Sequence, residues 1–171
     1  KCCVQVNDYV TNWFDTNNGV KQGDALSPTL FANYINDLLK EIEQLDLGIK
    51  LDEQLTLCIL AYADDLVVFS DDPVKLQKLL DHVAKWCHKW RLKINVNKTK
   101  VVQFRKKGKD RVNVNFKINN LDIEQVNSYK YLGVILDEHL EYDLCINTMC
   151  NAAKRALGKI IYKSKLLRGL G

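Results

Sequence analysis

Asp64 and Asp65 are adjacent carboxylates set between two strongly apolar runs, Leu55 to Ala61 and Leu66 to Phe69. Like charges so close repel, and the end of a buried strand pair removes part of their water, so the pair is costly alone. A divalent cation offsets that cost. Hard oxygen donors on a rigid strand turn suit Mg²⁺, which keeps several waters and completes its shell with substrate phosphates. An exposed turn, in which Asp is common, is the other reading of these two residues. A second grouping, His139, Cys145 and Cys150, matches no common zinc spacing, and no Cys-x-x-Cys occurs. The six cysteines (2, 3, 58, 87, 145, 150) are expected as buried or incidental reduced thiols, since free Cys usually packs as a small hydrophobe, in an intracellular protein.

The charges divide unevenly along the 171 residues. Residues 1–70 carry 4 basic and 11 acidic side chains, whereas residues 71–171 carry 21 basic and 10 acidic. From Lys85 to Arg111 there are eleven Lys and Arg against one acid, Asp110. From Leu144 onward there are six and no acid. A basic half beside an acidic half points to a polyanionic partner, and a solvated basic face is the alternative. The longest apolar run, Leu55 to Ala63, is nine residues including Thr56, far short of the about 20 a spanning helix needs. The composition, 47% apolar and 27% charged with two prolines and eight glycines, is that of a globular chain and not of a linker or a collagen. The chain opens on Lys1-Cys2-Cys3 without Met or a leader pattern, from which we expect an excised or truncated piece.

The elements that must hold these residues follow from periodicity. Val4 to Phe14 predicts short strands broken at Asn7-Asp8. Ser27 is expected to cap, and Pro28 to begin, a helix with Phe31, Ile35, Leu38 and Ile42 on one stripe, ending near residues 43–47. The two apolar runs around Tyr62-Ala63-Asp64-Asp65 predict a tight hairpin of buried strands. Asp72-Pro73 predicts a second helix with Leu76, Leu79, Leu80, Val83, Cys87 and Trp90 at helical spacing and with Trp86 and Trp90 in the core. Strands are expected at Leu92 to Val96, Val101 to Phe104, Val112 to Ile118 with a turn at Asn119-Asn120, and Tyr129 to Leu136 as one strand. From about Asp143 a helix carries Ile146, Met149, Ala153, Leu157 and Ile160 on one face and Arg155, Lys159 and Lys163 on the other. This order predicts an α+β fold, an antiparallel sheet with helices on one face.

The blocks around the aspartates carry a resemblance. Gly19-Val20-Lys21-Gln22-Gly23-Asp24-Ala25-Leu26-Ser27-Pro28-Thr29-Leu30-Phe31 resembles motif B of reverse transcriptases, and Ala61-Tyr62-Ala63-Asp64-Asp65-Leu66 resembles their Tyr-x-Asp-Asp motif C. Leu92 to Lys100 is similar to motif D, and Tyr129-Lys130-Tyr131-Leu132-Gly133-Val134 to the block near the primer grip. The order matches the family's, and the details are most similar to non-LTR (LINE-type) retrotransposon enzymes. Ala25 departs from the Pro of many members.

The resemblance implies a polymerase palm over residues 1–142 and the start of a basic thumb helix over 143–171. It implies an RNA-directed DNA polymerase that joins a nucleotide to a primer 3′-hydroxyl with two Mg²⁺ ions held by Asp64 and Asp65. A third carboxylate belongs to motif A, which is not recognisable here: Asp8 and Asp15 lie too close to Gly19 in turn-like contexts. The fingers are missing too, so the chain alone is expected to be inactive. By resemblance Gln22 and Gly23 lie near the nucleotide and template, and Tyr62 contacts the primer end. Lys98 assists the leaving pyrophosphate, while Tyr131, Leu132 and Gly133 shape the primer-holding turn. Arg155, Lys159 and Lys163 follow the phosphate backbone. For Gly23 a loop glycine before a helix, for Tyr62 a packed strand residue, and for Lys98 a solvated lysine remain the plain alternatives. Implied partners are an RNA template, a DNA primer, deoxynucleoside triphosphates and the missing fingers and motif A segment, with no membrane and with action in the nucleus. A non-catalytic nucleic-acid-binding relic of a retroelement and a group II intron-type reverse transcriptase are the competing readings.

Overall fold

The structure, a computed structural model, describes residues 1–15, 19 and 23–168. It divides into two compact units, Lys1–Leu79 and Leu80–Gly171.

The first unit opens with the hairpin of β1 (Gln5–Val6) and β2 (Tyr9–Val10), turning at the expected Asn7-Asp8 with φ 54° at Asn7. Helix α1 (Ser27–Gln44) has Pro28 in its first turn and buries Ile35, Leu38 and Ile42, with Phe31 half-buried on the same stripe. Ser27 is not its cap. Leu26 occupies that position without a side-chain cap bond, and the Leu26 N–H instead donates to Asp24 Oδ1 at 2.8 Å. Ser27 is already helical, so its hydroxyl stands one residue too far along to serve as the N-cap acceptor.

After α1 the chain turns at Gly48 into β3 (Ile49–Lys50), which pairs antiparallel with β4 (Thr56–Leu57). A Cβ on Gly48 would stand 2.3 Å from the Leu57 carbonyl oxygen and 2.7 Å from Cys58 Sγ, so two backbones meet here at a distance only glycine permits. β5 (Ile59–Tyr62) and β6 (Asp65–Val68) form the expected hairpin, continued by the Phe69 N–H donating to the Cys58 carbonyl at 2.8 Å. α1 packs on β5. Helix α2 (Pro73–Lys89) starts as predicted, with Asp72 Oδ1 accepting the Val74 and Lys75 N–H groups at 2.7 and 3.0 Å.

In the second unit Leu80, Val83, Ala84, Trp86 and Cys87 are buried. Trp90 is 39% exposed, contrary to expectation, with its ring tilted against Trp86 at 5.7 Å and the Lys89 ammonium 5.6 Å from it. The helix has ended by then, and Arg91 at φ 58° turns the chain. The remaining strands are β7 (Lys100–Val101), β8 (Lys117–Ile118), β9 (Leu121–Asp122), β10 (Glu124–Gln125), β11 (Ser128–Tyr131) and β12 (Val134–Asp137). Residues 91–96 alternate exposed and half-buried as a strand does, yet they pair with no strand among the described residues. β8 and β9 join at Asn119-Asn120, both at positive φ (50° and 64°), as expected of a type I′ hairpin. Tyr129 to Leu136 is a hairpin of β11 and β12 and not one strand, because Leu132 (φ 46°) and Gly133 (φ 89°) form a second such turn.

Helix α3 (Asp143–Arg168) meets β12 at its first turn, where Cys145 is buried and its Sγ accepts the Ile135 N–H at 3.4 Å. Beyond it, residues 146–166 are exposed. The described residues thus form an α+β arrangement of three helices and six two-stranded sheets, five antiparallel and one, β7 with β10, parallel. The single sheet expected from the element order is replaced by pairs. Eight of the twelve strands are two residues long, well under the about 5–6 residues usual for a strand. Among the described residues no helix is long and apolar enough to cross a membrane.

Candidate functional site

The hairpin tip is built from register. Tyr62 stands opposite Asp65, Ala61 opposite Leu66, Leu60 opposite Val67 and Ile59 opposite Val68. Ala63 and Asp64 form a two-residue loop in which only Ala63 has positive φ, 52°, as at the first position of a type II′ turn. A residue with a Cβ costs about 1 kcal/mol or more in that region. Strain of this kind persists only where surroundings over-determine it, and it clusters at functional sites. Because opposite residues share a face and neighbours alternate, Tyr62 and Asp65 project from the same face as Leu60 and Val67.

That face is open. Tyr62 is 66% exposed, Leu60 is exposed, and of the hairpin only Ile59 is buried. Asp64 and Asp65 are both exposed. Two expectations are corrected here: the strands are not buried on both faces, and the aspartates keep their water, so no desolvation cost burdens them. Tyr62 is likewise no packed strand tyrosine. What remains is two hard carboxylates on a short, registered turn, a donor set that fits Mg²⁺ as part of a shell. Among the described residues no third His, Cys, Asp or Glu completes a cluster with them. Asp8 sits in the β1–β2 turn and Asp15 is exposed.

In the same unit Gly23 is exposed at φ 83°, with no atom within 4 Å of a built Cβ, so its backbone is accessible to a ligand. Gln22 lies outside the described residues. The second unit carries the other predicted positions. The Lys98 N–H donates to the Asn95 carbonyl at 3.1 Å, and the Tyr129 hydroxyl donates to the Lys98 carbonyl at 3.1 Å. This bond ties the exposed Lys98 turn to β11, the strand ending at Tyr131, so Lys98 and the Tyr131-Leu132-Gly133 turn share one support. Leu132 is 50% exposed at the turn's tip, and Tyr131 is half-buried. Arg155, Lys159 and Lys163 are exposed on α3. Each step of four residues advances about 6 Å and rotates about 40°, so the three cations wind gently along one side.

Two features escaped the sequence. One is Gly48 beneath the strands that lead to the hairpin. The other is Glu138, 7% exposed, whose Oε2 receives Arg105 Nε at 3.1 Å, Arg111 Nε at 2.9 Å and Arg111 Nη2 at 2.7 Å. The Arg111 hydrogen bond, helped by the Arg105 charge, holds the Glu138 carboxyl below the usual range despite its loss of water. Those arginines lie 33 and 27 residues away in sequence, a separation at which no local pattern signals a pair.

Known proteins resemble this chain in sequence. It matches the family described as "Reverse transcriptase (RNA-dependent DNA polymerase)" over residues 1–136. It is 31% identical over 148 residues to the RNA-directed DNA polymerase from mobile element jockey of Drosophila funebris, covering 83% of this chain and 15% of that protein. It is 34% identical over 123 residues to a Pol polyprotein from a type-2 retrotransposable element of Drosophila melanogaster, covering 68% and 11%. To the probable RNA-directed DNA polymerase from transposon BS of the same fly it is 28% identical over 130 residues, covering 72% and 14%. The chain therefore spans between 11% and 15% of the length of these relatives.

Proposed function

From the premise that the chain belongs to the reverse transcriptase family, we propose that it supplies the palm and first thumb helix of a non-LTR, LINE-type RNA-directed DNA polymerase. Residues 1–142 are the palm portion and 143–171 the thumb portion. The observation that carries this reading is the Tyr62–Asp65 hairpin, two exposed carboxylates on a strained two-residue loop, inside the matched region.

Asp64 and Asp65 present oxygens to Mg²⁺, and a third carboxylate comes from a motif A segment outside these residues. Bound divalent cations supply an acidified primer 3′-hydroxyl and charge neutralisation on the triphosphate and the departing pyrophosphate. Tyr62, on the face of Asp65, steadies the primer end with its ring. Gly23 and Gln22 let the backbone approach the nucleotide and templating base. Lys98 offers a compact ammonium to the leaving phosphates, and the Tyr131-Leu132-Gly133 turn holds the primer strand. Arg155, Lys159 and Lys163 bind backbone phosphates and so position the duplex without reading its sequence. The substrates are an RNA template, a DNA primer and deoxynucleoside triphosphates, and the site of action is the nucleus.

Primer extension tests this in the complete polymerase. Asp64→Asn is expected to abolish extension while primer–template affinity stays within about twofold, because phosphate contacts use other residues. Extension at near-parental rate by that variant would remove Asp64 from metal binding and defeat the paired-carboxylate reading.

A further inference from the structure

Arg105 and Arg111 stand at the two ends of a seven-residue loop, Arg105-Lys106-Lys107-Gly108-Lys109-Asp110-Arg111. Both guanidinium groups close on one oxygen of the buried Glu138. Backbone bonds reinforce the closure: the Arg105 N–H donates to the Glu138 carbonyl at 2.8 Å, and the Glu138 N–H to the Asn127 carbonyl at 2.8 Å. Arg105 also bonds the Lys109 carbonyl, and Arg111 the Asn127 side chain. At the tip the Lys109 N–H reaches the Lys106 carbonyl at 3.2 Å, with Gly108 at φ 78°, which is the glycine position of a type II turn. Lys106, Lys107 and Lys109 are therefore exposed on a turn whose arms are both pinned. The five loop cations are matched by Asp110, Glu138 and Glu141 together with Asp137 and Asp143, which also act on Lys107, so the contact falls to the exposed Lys106 and Lys109.

We propose that this loop is a second, pre-shaped contact for the nucleic-acid backbone, and that Glu138 is its positioning residue. The inference rests on the polymerase reading given above. Three observations argue for a phosphate backbone. Lysine is a point charge suited to phosphate. The turn keeps the Cα atoms of Lys106 and Lys109 within about 7 Å, so both ammonium groups can serve one short stretch of a strand that carries a phosphate for each 3.4 Å or so of helix axis. Lys107 pairs with Glu141, two residues before α3 begins, which sets the loop beside the root of the helix bearing Arg155, Lys159 and Lys163. A backbone following that helix thus meets the loop at one end.

The test measures binding of the 171-residue chain to a fluorescent RNA–DNA hybrid between 50 and 200 mM salt. The variants are Lys106→Ala with Lys109→Ala, Glu138→Gln, and alanines at 155, 159 and 163. Each lost phosphate contact lowers the slope of log K against log salt by about 0.7 to 0.9. The double lysine variant is expected to lose about 1.4 to 1.8, so its fall in affinity over that salt range shrinks roughly 7- to 12-fold. The hybrid should also protect Lys106, Lys107 and Lys109 from trypsin in the parent, and less so in Glu138→Gln. An unchanged slope in the double variant, with a lower slope in the helix variant, overturns the loop contact and leaves the polymerase interface standing. If neither variant changes the slope, both readings fail. Polyglutamate of matched charge bound as tightly as the hybrid, with the same sensitivity to the two lysines, would reassign the loop to an acidic protein.

Discussion

Gly48→Ala is a small change with a large expected effect. The added methyl would lie 2.3 Å from the Leu57 carbonyl oxygen, 2.6 Å from its carbon and 2.7 Å from Cys58 Sγ. Ordinary contacts begin near 3.4 Å, so about 1 Å must open, and two of the three atoms are backbone that no rotamer can move. Overpacking of this kind costs about 1–3 kcal/mol. For a chain of this length 1 kcal/mol shifts the melting temperature by about 2–4 °C, which gives a fall of about 2 to 12 °C. Thermal unfolding followed by circular dichroism reads it. Adding Cys58→Ala relieves only the sulfur contact, so the double variant should stay well below Cys58→Ala alone. The clash also bears on chemistry, because Leu57 and Cys58 lead directly into β5 and hence into Tyr62 and the aspartates. A 1 Å misplacement of catalytic groups can cost about a hundredfold in rate, so on the proposed role of these residues primer extension by the complete polymerase should fall even well below the melting temperature. A melting temperature within 1 °C of the parent would show that β3 and β4 part freely, and the close approach would then mean nothing.

Reversing the charges at Arg155, Lys159 and Lys163 should weaken binding to an RNA–DNA hybrid and lower its salt slope by at least about 2, from three contacts at about 0.7 to 0.9 each; an unchanged slope in a filter-binding titration moves that face of α3 off the nucleic acid. The depressed Glu138 carboxyl makes an acid-side prediction. Its folded pKa lies below the unfolded value of about 4.3, so its stabilising contribution is complete above that value and disappears as pH falls through the folded pKa. Glu138→Gln should therefore lower the urea midpoint at pH 7, and the gap from the parent should close toward pH 3. A gap of the same size at both pH values would mean the arginine pairing contributes nothing. Asp137, lowered chiefly by the His139 N–H, adds acid sensitivity that both proteins share.

The helices were legible because their signal is local and repeated: Ile35, Leu38 and Ile42 recur at helical spacing, and Asp72 precedes Pro73 where a cap belongs. The hairpin at Tyr62-Ala63-Asp64-Asp65 was legible from two apolar runs around a polar pair. Turns that use ordinary residues were not. Leu132 occupies a left-handed position that asparagine or glycine usually marks, so two strands read as one. Alternation at residues 91–96 told which side chains face inward but not whether a partner strand exists. Nor could alternation reveal the parallel pairing of β7 with β10, whose residues lie 24 positions apart. At the site, residue types and order showed which groups could do chemistry. Their exposure was not legible, since a flanking apolar run measures hydrophobicity and not burial: Leu60 and Tyr62 belong to such a run and both face water.

Helix α3 meets β12 at its root, where Cys145 is buried, and its residues 146–166 are exposed. It is therefore a lever. Lys163 lies 18 residues beyond Cys145, about 27 Å at 1.5 Å per residue. A tilt of about 7° about that fulcrum would swing the Lys163 backbone by about 3.3 Å, close to the 3.4 Å or so of helix axis that one nucleotide of a strand occupies.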